Sequence, residues 1–321
     1  MAGRVAFVGE ILVDFLGEGG DTLERATAFR PAAGGAPANA AVAAARAGAA
    51  ALFVGCVGTD AFGRLLRTTL VDAGVDVRHL RAAADHATTL AFVMPAAQGD
   101  HGFQFLRGAD AALAVADLPP DLFAGLAGLG CGGVSLSAPS ARQATLAALR
   151  QARAARALTL FDVNWRPFLW PSAGAAVGAF EEAIALADLV KCNETELELL
   201  RGPGGDLASL ARSLLQTPGP AAVVVTLGHR GALWVSRTVT CHEPAVTVRA
   251  VDAVGAGDCF TGTLLAWFAA HGRGSALDLD AASVSAVLAR CNAAAALSTL
   301  HPGAMAAMPT AAEVDACLAG G

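Results

Sequence analysis

Residues 252–270 read DAVGAGDCFTGTLLAWFAA and join a glycine-rich turn directly to a long apolar stretch, whose length and composition predict a helix buried in the core of a large domain. The small residues Gly255, Ala256 and Gly257 let another group approach the backbone closely, and the positive end of the helix points at the same place. The segment therefore predicts a binding site for a phosphate or another anion. Asp258, in the first helical turn, can accept a proton from a hydroxyl group beside that anion, or can serve only as a capping acid.

A second glycine-rich motif lies near the N-terminus, where residues 34–41 read GGAPANAA. Gly34 and Gly35, followed by Pro37 and Asn39, predict a turn with accessible backbone at the start of a helix. Asn39 can donate and accept hydrogen bonds, which suits a sugar hydroxyl group. Taken alone, the motif is explained equally well by a turn and a helix cap.

Between these motifs, short apolar segments alternate with helical ones, which favours an α/β fold with a doubly wound, mostly parallel sheet and helices on both faces. Buried strands are predicted at residues 5–8, 52–57, 134–137, 158–163, 189–192 and 223–227. Helices are predicted at residues 38–47, 62–73, 141–155, 180–187, 257–270, 283–299 and 311–318. Two segments, about 10–35 and 88–108, show polar alternation and turn glycines, and we interpret them as a small sheet that projects from a single domain spanning residues 1–321.

Composition excludes several classes of protein. The 321 residues are 55% hydrophobic and 16% charged, which rules out global disorder, and a net charge of −6 without a basic patch argues against a nucleic-acid partner. Seven cysteines, an odd number without a CxxC pair, argue against a disulfide framework or a zinc site. Glu10 and Asp14 interrupt the first apolar run, so no export signal or membrane partner is expected, and we predict a cytoplasmic protein with reduced cysteines.

Together the two glycine motifs resemble those of the ribokinase-like (PfkB-type) carbohydrate kinases, in the same order along the chain. The resemblance continues in VGEILVDF (8–15), VGTDAFGRLL (57–66), GVDVRHL (74–80), KCNETELELL (191–200), VVTLGHRGAL (224–233) and STLHPGAMAAMPT (298–310). It implies a ribokinase-like sheet with a small β-sheet lid, and it leaves a homodimer through the lid open. Lys191, the only lysine, is followed by Cys192 rather than Ser or Thr, so a Walker A loop is excluded and any anion hole must be built from backbone.

In this family the γ-phosphate of ATP passes to a sugar hydroxymethyl group. The resemblance implies that Asp258 is the catalytic base and that the amides of Gly255, Ala256 and Gly257 stabilise the phosphoryl charge. It implies sugar contacts for Asp14, Gly34, Gly35, Asn39, Arg107 and Arg166. It implies ATP contacts for Asn193, Thr226, Gly228, Gly231 and Asn292. Glu196, with Asn193, matches a motif that organises Mg²⁺, and Asp252 matches a position that helps to hold a monovalent cation, for which K⁺ is the expected ion.

Other interpretations of these residues remain open from the sequence. Asn193 can be a helix N-cap, Asn292 a locally satisfied helix residue, Asp14 a surface acid, and the two arginines members of ion pairs.

The substrate is predicted from details of the motifs. Ala36 and Pro37 and the 298–310 segment resemble bacterial fructokinases, so phosphorylation of D-fructose to fructose 6-phosphate is the first expectation. The alternative is 2-keto-3-deoxygluconate kinase, because FDVNWRPFLW (161–170) and Arg107 also resemble that subgroup. A nucleoside kinase, a sugar or nucleotide sensor without activity, and an anion-binding structural subunit are further alternatives. The chain departs from the family at Ala253, where threonine is usual, and it lacks tyrosine, so that Phe103 and Phe105 occupy the sugar region.

Overall fold

The computed structural model describes residues 3–94, 102–272 and 279–320. Its strands are β1 (Arg4–Val8), β2 (Leu12–Glu18), β3 (Ala28–Gly34), β4 (Ala50–Gly58), β5 (Asp76–Ala83), β6 (Leu90–Met94), β7 (Gly102–Leu106), β8 (Leu126–Gly132), β9 (Leu158–Asp162), β10 (Leu189–Asn193), β11 (Ala222–Thr226), β12 (Ala232–Ser236) and β13 (Thr240–Glu243). The α-helices are α1 (Ala36–Arg46), α2 (Ala61–Asp72), α3 (Pro139–Ala154), α4 (Ala173–Ile184), α5 (Glu194–Arg201), α6 (Leu207–Leu214), α7 (Ala256–His271), α8 (Ala281–Ser298) and α9 (Ala311–Gly320).

Nine strands form the main sheet, in the order β13-β12-β11-β10-β9-β8-β1-β4-β5. The seven strands from β11 to β5 are parallel to one another, whereas β12 pairs antiparallel with β11, and β13 pairs antiparallel with β12 at one edge. Separate clusters of buried apolar side chains, one containing Phe161 and the other Phe7, cover the two faces. The apolar strands of the sequence follow from this burial on both faces, and the predicted α/β fold class is confirmed.

A smaller sheet of four strands, in the order β3-β2-β6-β7, forms the lid. β2 and β3 pair as an antiparallel hairpin, β6 lies parallel to β2, and β7 is antiparallel to β6. Both segments that broke the strand–helix alternation thus contribute strands to a second sheet, as expected. Residues 95–101 of the second segment lie outside the described residues.

The predicted strand at 134–137 is wrong. Gly133–Ser137 forms a 3-10 helix, and the strand that precedes it is β8. β8, whose sequence is LAGLGCG, was not predicted as a strand, because its three glycines are typical of a turn. In the structure a Cβ atom on Gly128 would lie 2.7 Å from Leu265 Cδ1, and one on Gly130 would lie 2.8 Å from Phe7 Cδ1. These glycines are therefore required by packing between the sheet and its helices.

Both ends of one helix also differ from the prediction by several residues. The helix predicted at 180–187 is α4, which begins at Ala173 after the N-cap Ser172 and ends at Ile184. The N-cap hydroxyl accepts a hydrogen bond from the Ala175 N–H group, and this capping fixes the earlier start.

Helices α1 and α7 pack closely against each other. A Cβ atom on Gly262 of α7 would lie 2.2 Å from the Ala40 carbonyl oxygen of α1, so glycine allows this approach. Helix α8 is long and apolar enough to cross a membrane, but Val284, Leu288 and Cys291 belong to the buried core, which accounts for its composition. The contact between α1 and α7 brings their N-terminal turns together above the carboxyl ends of the parallel strands.

Candidate active site

A cavity of about 450 Å³ lies between the lid and the carboxyl ends of the parallel strands. Open parallel sheets place ligands at this edge. Ten of the predicted site residues line the cavity: Asp14, Gly35, Asn39, Arg166, Asn193, Glu196, Thr226, Gly255, Gly257 and Asp258. Glu10, Asp14, Phe103 and Phe105 form the part of the wall that we call the lid end of the cavity.

Asp258 is a buried carboxylate at the N-terminal turn of α7. The Asn39 Nδ2 atom donates a hydrogen bond to its Oδ2 atom at 2.8 Å, and the Asn164 Nδ2 atom lies 3.5 Å from its Oδ1 atom. Burial raises the pKa of Asp258 to about 6, against the lowering effect of the Asn39 hydrogen bond. The carboxylate is therefore ionised at neutral pH but basic enough to accept a proton from a hydroxyl group.

The predicted anion hole lies at the same helix end. Gly255 is the N-cap with a φ angle of 82°, and a Cβ atom there would lie 2.7 Å from Ala304 Cβ. Gly257 and Asp258 lie in the first turn of α7, where N–H groups lack partners within the helix, so both can bind an anion. The Ala256 N–H group instead donates to the Ala253 carbonyl at 3.3 Å. The role of Ala256 in binding phosphate stays a prediction.

Asp14 lies at the lid end, on β2. A Cβ atom on Gly34 would lie 2.1 Å from the Asp14 Oδ2 atom, so glycine makes room for this carboxylate. Gly35 has a φ angle of 105°, and a Cβ atom there would lie 2.6 Å from the Glu10 carbonyl oxygen. Burial raises the pKa of Asp14 to about 6, while the charge of Arg166 lowers it. Gly35 lines the cavity and Gly34 does not, and the predicted sugar contacts of both glycines stay a prediction.

Two asparagines that line the cavity carry buried amide oxygens without partners. Within residues 3–94, 102–272 and 279–320, neither Asn39 Oδ1 nor Asn164 Oδ1 accepts a hydrogen bond. Buried polar atoms are normally paired, so these two acceptors point to a ligand that carries hydroxyl donors. Asn164 also has a φ angle of 36°, a strained backbone conformation of the kind found at functional sites.

Lys191 is a cavity residue whose role the sequence interpretation missed. Its Nζ atom lies 3.0 Å from Asp162 Oδ2, and Thr261 Oγ1 donates to the same oxygen at 2.8 Å. Burial alone would lower the pKa of Lys191, but the charges of Asp162, Glu196 and Asp258 outweigh burial and raise it. The ammonium group lies 3.0 Å from the place that a Cβ atom on Gly257 would take, so it supplies positive charge beside the anion hole.

Asn193 and Glu196 form a capping box at the start of α5. Asn193 Oδ1 accepts from the Glu196 N–H group at 2.8 Å, and Glu196 accepts from the N–H groups of Asn193 and Trp165, both at 2.8 Å. The N-cap interpretation is therefore confirmed. Glu196 lines the cavity, and two N–H groups hold its carboxylate in place. Among the described residues no cluster of three or more His, Cys, Asp or Glu could hold a metal. This donor set fits Mg²⁺ that is bound chiefly by phosphate oxygens and water, with Glu196 orienting the water.

Asp252 joins two loops beside the anion hole. Its Oδ1 atom accepts from the Val254 N–H group at 3.0 Å, and its Oδ2 atom accepts from the Gly303 N–H group at 2.9 Å. Asp252 does not line the cavity, and its part in holding a monovalent cation stays a prediction.

The predicted nucleotide residues divide into two groups. Thr226, at the end of β11, lines the cavity and donates to the Cys192 carbonyl at 3.3 Å. Gly228 and Gly231 flank a short 3-10 turn with φ angles of 59° and 96°, and neither lines the cavity. Asn292 on α8 donates to the carbonyls of Glu243 and Pro244 at 2.9 and 3.1 Å. Its amide therefore holds the chain that follows β13, and a contact with adenine stays a prediction.

The two predicted arginines have different surroundings. Arg166 lines the cavity, and its positive charge acts on both Asp14 and Asp258. Arg107 does not line the cavity. It forms an ion pair with Asp110 at 3.0 Å, as the ion-pair alternative predicts, and donates to Ser137 Oγ at 2.5 Å. Its contact with a sugar stays a prediction.

Glu10 is a second cavity residue that the sequence interpretation missed. It is 2% exposed, and its Oε2 atom accepts from Ser135 Oγ at 2.9 Å. Burial raises the pKa of Glu10 to about 7. A carboxyl group this deeply buried in the wall of a cavity is a feature of ligand sites, and the signal in the sequence was an acid interrupting an apolar run.

Comparison with known proteins matches residues 2–311 to the family described as pfkB family carbohydrate kinase. The chain is 38% identical to Fructokinase-1 of Oryza sativa subsp. japonica over 98% of each chain. Its fold is similar to fructokinase from Xylella fastidiosa with bound ATP, with a TM-score of 0.91, 32% identity and coverage of 99% and 98% of the two chains. It is also similar to a fructokinase double mutant from Vibrio cholerae O395 with fructose, ADP and potassium ion bound, with a TM-score of 0.86, 30% identity and coverage of 99% and 98%.

Proposed function

The chain belongs to the pfkB family of carbohydrate kinases, and we propose that it transfers the γ-phosphate of ATP to D-fructose, giving fructose 6-phosphate and ADP. Family membership establishes a sugar phosphotransferase. The observation that carries the proposal is the placement of Asp258, a buried carboxylate with a pKa of about 6, between an anion-binding helix end and the amide of Asn39. The names of the similar fructokinases support fructose as the sugar.

In the proposed reaction the hydroxymethyl oxygen of the sugar attacks the γ-phosphorus of ATP. A new O–P bond forms, the bond between the γ-phosphorus and the β,γ-bridging oxygen breaks, and ADP leaves. The hydroxyl proton passes to Asp258, which returns it to solvent after the product dissociates. Phosphoryl transfer needs chiefly positioning and charge stabilisation, which the N–H groups of Gly257 and Asp258 and the ammonium group of Lys191 can supply.

The unpaired acceptors of the cavity suit the substrate. Asp14, Asn39 Oδ1 and Asn164 Oδ1 can each accept a hydrogen bond from a sugar hydroxyl group. The charge of Arg166 favours the ionised form of both Asp14 and Asp258, against the effect of burial. The lid should exclude water over the sugar and so limit hydrolysis of ATP.

A metal ion and ATP complete the proposed site. When bound, Mg²⁺ neutralises part of the charge on the transferring phosphate. Glu196 would orient its water, and the loop tied by Asp252 would help to hold K⁺. The ATP of the Xylella structure and the potassium ion of the Vibrio structure support these assignments.

We further propose a cytoplasmic protein, which the seven free thiols support, and a dimer through the lid. Phe103 and Leu106 on β7 are 41% and 46% exposed, which supplies apolar surface for such contact.

Release of ADP in a coupled assay tests the proposal, with Mg-ATP, potassium and D-fructose, 2-keto-3-deoxygluconate, ribose or adenosine supplied side by side. Selective turnover of fructose is the expected result. A coupling enzyme specific for fructose 6-phosphate identifies the hydroxyl group that is phosphorylated. Turnover of the keto acid or of adenosine in preference to fructose would contradict the substrate assignment.

A further inference from the structure

We propose that Asp110 is a specificity-determining residue, which neutralises Arg107 at the lid end of the cavity and so restricts the enzyme to uncharged sugars. This inference rests on the proposed sugar kinase activity and names the class of sugar that the site accepts.

Arg107 lies directly behind the lid end. It follows β7, whose alternate residues Phe103 and Phe105 line the cavity, and the two-residue period of a strand places position 107 on the same side. Its Nη2 atom donates to the carbonyl of Val134, another lining residue, at 3.3 Å. Its charge also acts on Glu10, so the guanidinium lies within electrostatic reach of a ligand.

Asp110 is built to hold this charge. Its side chain is 1% exposed, its Oδ2 atom lies 3.0 Å from Arg107 Nη2, and its Oδ1 atom accepts a hydrogen bond from Thr89 Oγ1. The Thr89 hydroxyl is itself fixed, because it accepts from the Gly108 N–H group at 2.9 Å. Its Oδ1 atom is thus fixed by a hydrogen bond, whereas Oδ2 makes no hydrogen bond among the described residues and has only the guanidinium charge beside it. Removing that charge would leave a buried carboxylate uncompensated, so the ion pair persists when a sugar binds.

The remaining cations of the cavity also face carboxylates. Lys191 is paired with Asp162, and Arg166 acts on Asp14 and Asp258. An acidic sugar would therefore bring its carboxylate to a wall that already carries Glu10 and Asp14. An uncharged sugar avoids this unpaired buried charge, and its hydroxyl groups can donate to the acceptors of this wall.

Loss of the Asp110 charge should shift the preference toward acidic sugars. The Arg107 Nε atom is buried and has no hydrogen-bond partner among the described residues, so the guanidinium has a spare donor beside Nη2. In Asp110→Asn the amide oxygen can still accept from Thr89, while Arg107 becomes available to a carboxylate.

The test compares kcat/KM for D-fructose and for 2-keto-3-deoxygluconate in the wild type, Asp110→Asn, Asp110→Ser and Arg107→Ala/Asp110→Asn. Asp117→Asn is the matched control, because Asp117 also pairs with an arginine, Arg81, at 2.7 Å and accepts a backbone hydrogen bond, but lies away from the cavity. We expect the ratio of acid to fructose to rise at least about tenfold in Asp110→Asn, the factor for one hydrogen bond to a charged group. The added Arg107→Ala change should abolish the rise, and Asp117→Asn should not alter the ratio.

An unchanged ratio in both folded Asp110 variants, or a wild type that uses the acid as well as fructose, would overturn the inference. Calorimetric binding of 2-keto-3-deoxygluconate to the same proteins separates this inference from the proposed function. If fructose is not turned over but the acid binds Asp110→Asn more tightly than wild type, the fructose assignment fails and the role of Asp110 stands.

Discussion

Replacement of Asn39 by alanine should shift the pH dependence of the reaction, because Asn39 stabilises the ionised form of the catalytic base. The hydrogen bond from its amide to Asp258 Oδ2 is 2.8 Å long and buried. A hydrogen bond to a charged group contributes about 1.5–3 kcal/mol, which corresponds to a pKa change of about one to two units. Since burial holds the pKa of Asp258 at about 6 even with this bond, Asn39→Ala should raise it to about 7–8.

The assay is kcat/KM for fructose between pH 5 and 9, which reports the ionisation of the free enzyme. A protonated Asp258 cannot accept the hydroxyl proton, so turnover falls as the pH drops through its pKa. At pH 6 about half of the wild-type carboxylate is ionised, against about 1–10% in Asn39→Ala. This difference in ionisation alone should lower kcat/KM of the variant about five- to fiftyfold at pH 6 and only slightly at pH 9. Asn292→Ala, which removes a buried amide that donates to the backbone carbonyls of Glu243 and Pro244, is the control and should leave the acid limb near pH 6.

A purely sugar-binding role for Asn39 gives a different result. In that case kcat/KM falls by the same factor at every pH, and the acid limb stays where it is in the wild type. That outcome would refute the reasoning that Asn39 acts through Asp258.

Three further changes test other parts of the structure. Glu10→Gln should stabilise the protein at high pH only. Burial raises the pKa of Glu10 from 4.5 to about 7, so the stability that the protonated carboxyl group contributes is present at pH 4 and is lost as the pH rises through 7. Denaturant unfolding at pH 8 should therefore show that the variant gains up to about 3 kcal/mol over the wild type, a gain that is absent at pH 4. Lys191→Met should lower the free energy of unfolding by about 3–5 kcal/mol, because it leaves Asp162 buried without its cation. The double variant Lys191→Met/Asp162→Asn should recover part of this loss. Equal stability of the single and double variants would count against a stabilising ion pair between Lys191 and Asp162. Gly34→Ala should raise KM for the sugar about tenfold or more by displacing the Asp14 carboxylate, whereas Gly178→Ala, with no atom near the added methyl group, should not change KM.

The sequence predicted the fold because its elements are locally consistent. Strands such as β1 and β11 are short apolar runs bounded by turn residues, and the helix that follows Asp258 is apolar all round because it is buried. β8 escaped prediction because its glycines are needed for contact with Leu265 and Phe7, which are distant in sequence. A requirement set by tertiary packing cannot be inferred from the residues of the strand alone.

The site residues that belong to sequence motifs were predicted, whereas those whose role depends on an ion pair with another side chain were missed. The contact between Asn39 and Asp258 spans 219 positions, and only the resemblance of both motifs to one family placed the two together. Lys191 and Asp162 are partners in the register of β10 and β9, so correct alignment of these two strands would have revealed their ion pair. The ion pair between Arg107 and Asp110 depends on a 3-10 turn that the sequence pattern does not predict. The resemblance of Arg107 to a family position predicted a substrate contact and not this pair.

The central claim is that Asp258 takes the proton from the sugar hydroxyl group, and turnover of Asp258→Asn tests it most directly. Loss of a general base typically lowers turnover by about 10²–10⁴-fold, and calorimetry should show fructose and ATP still bound by the variant. Asp188→Asn, which alters a buried carboxylate that accepts from Thr159 far from the cavity, should retain turnover once its stability is matched by a lower assay temperature. Turnover of Asp258→Asn within a few-fold of the wild type would contradict the claim.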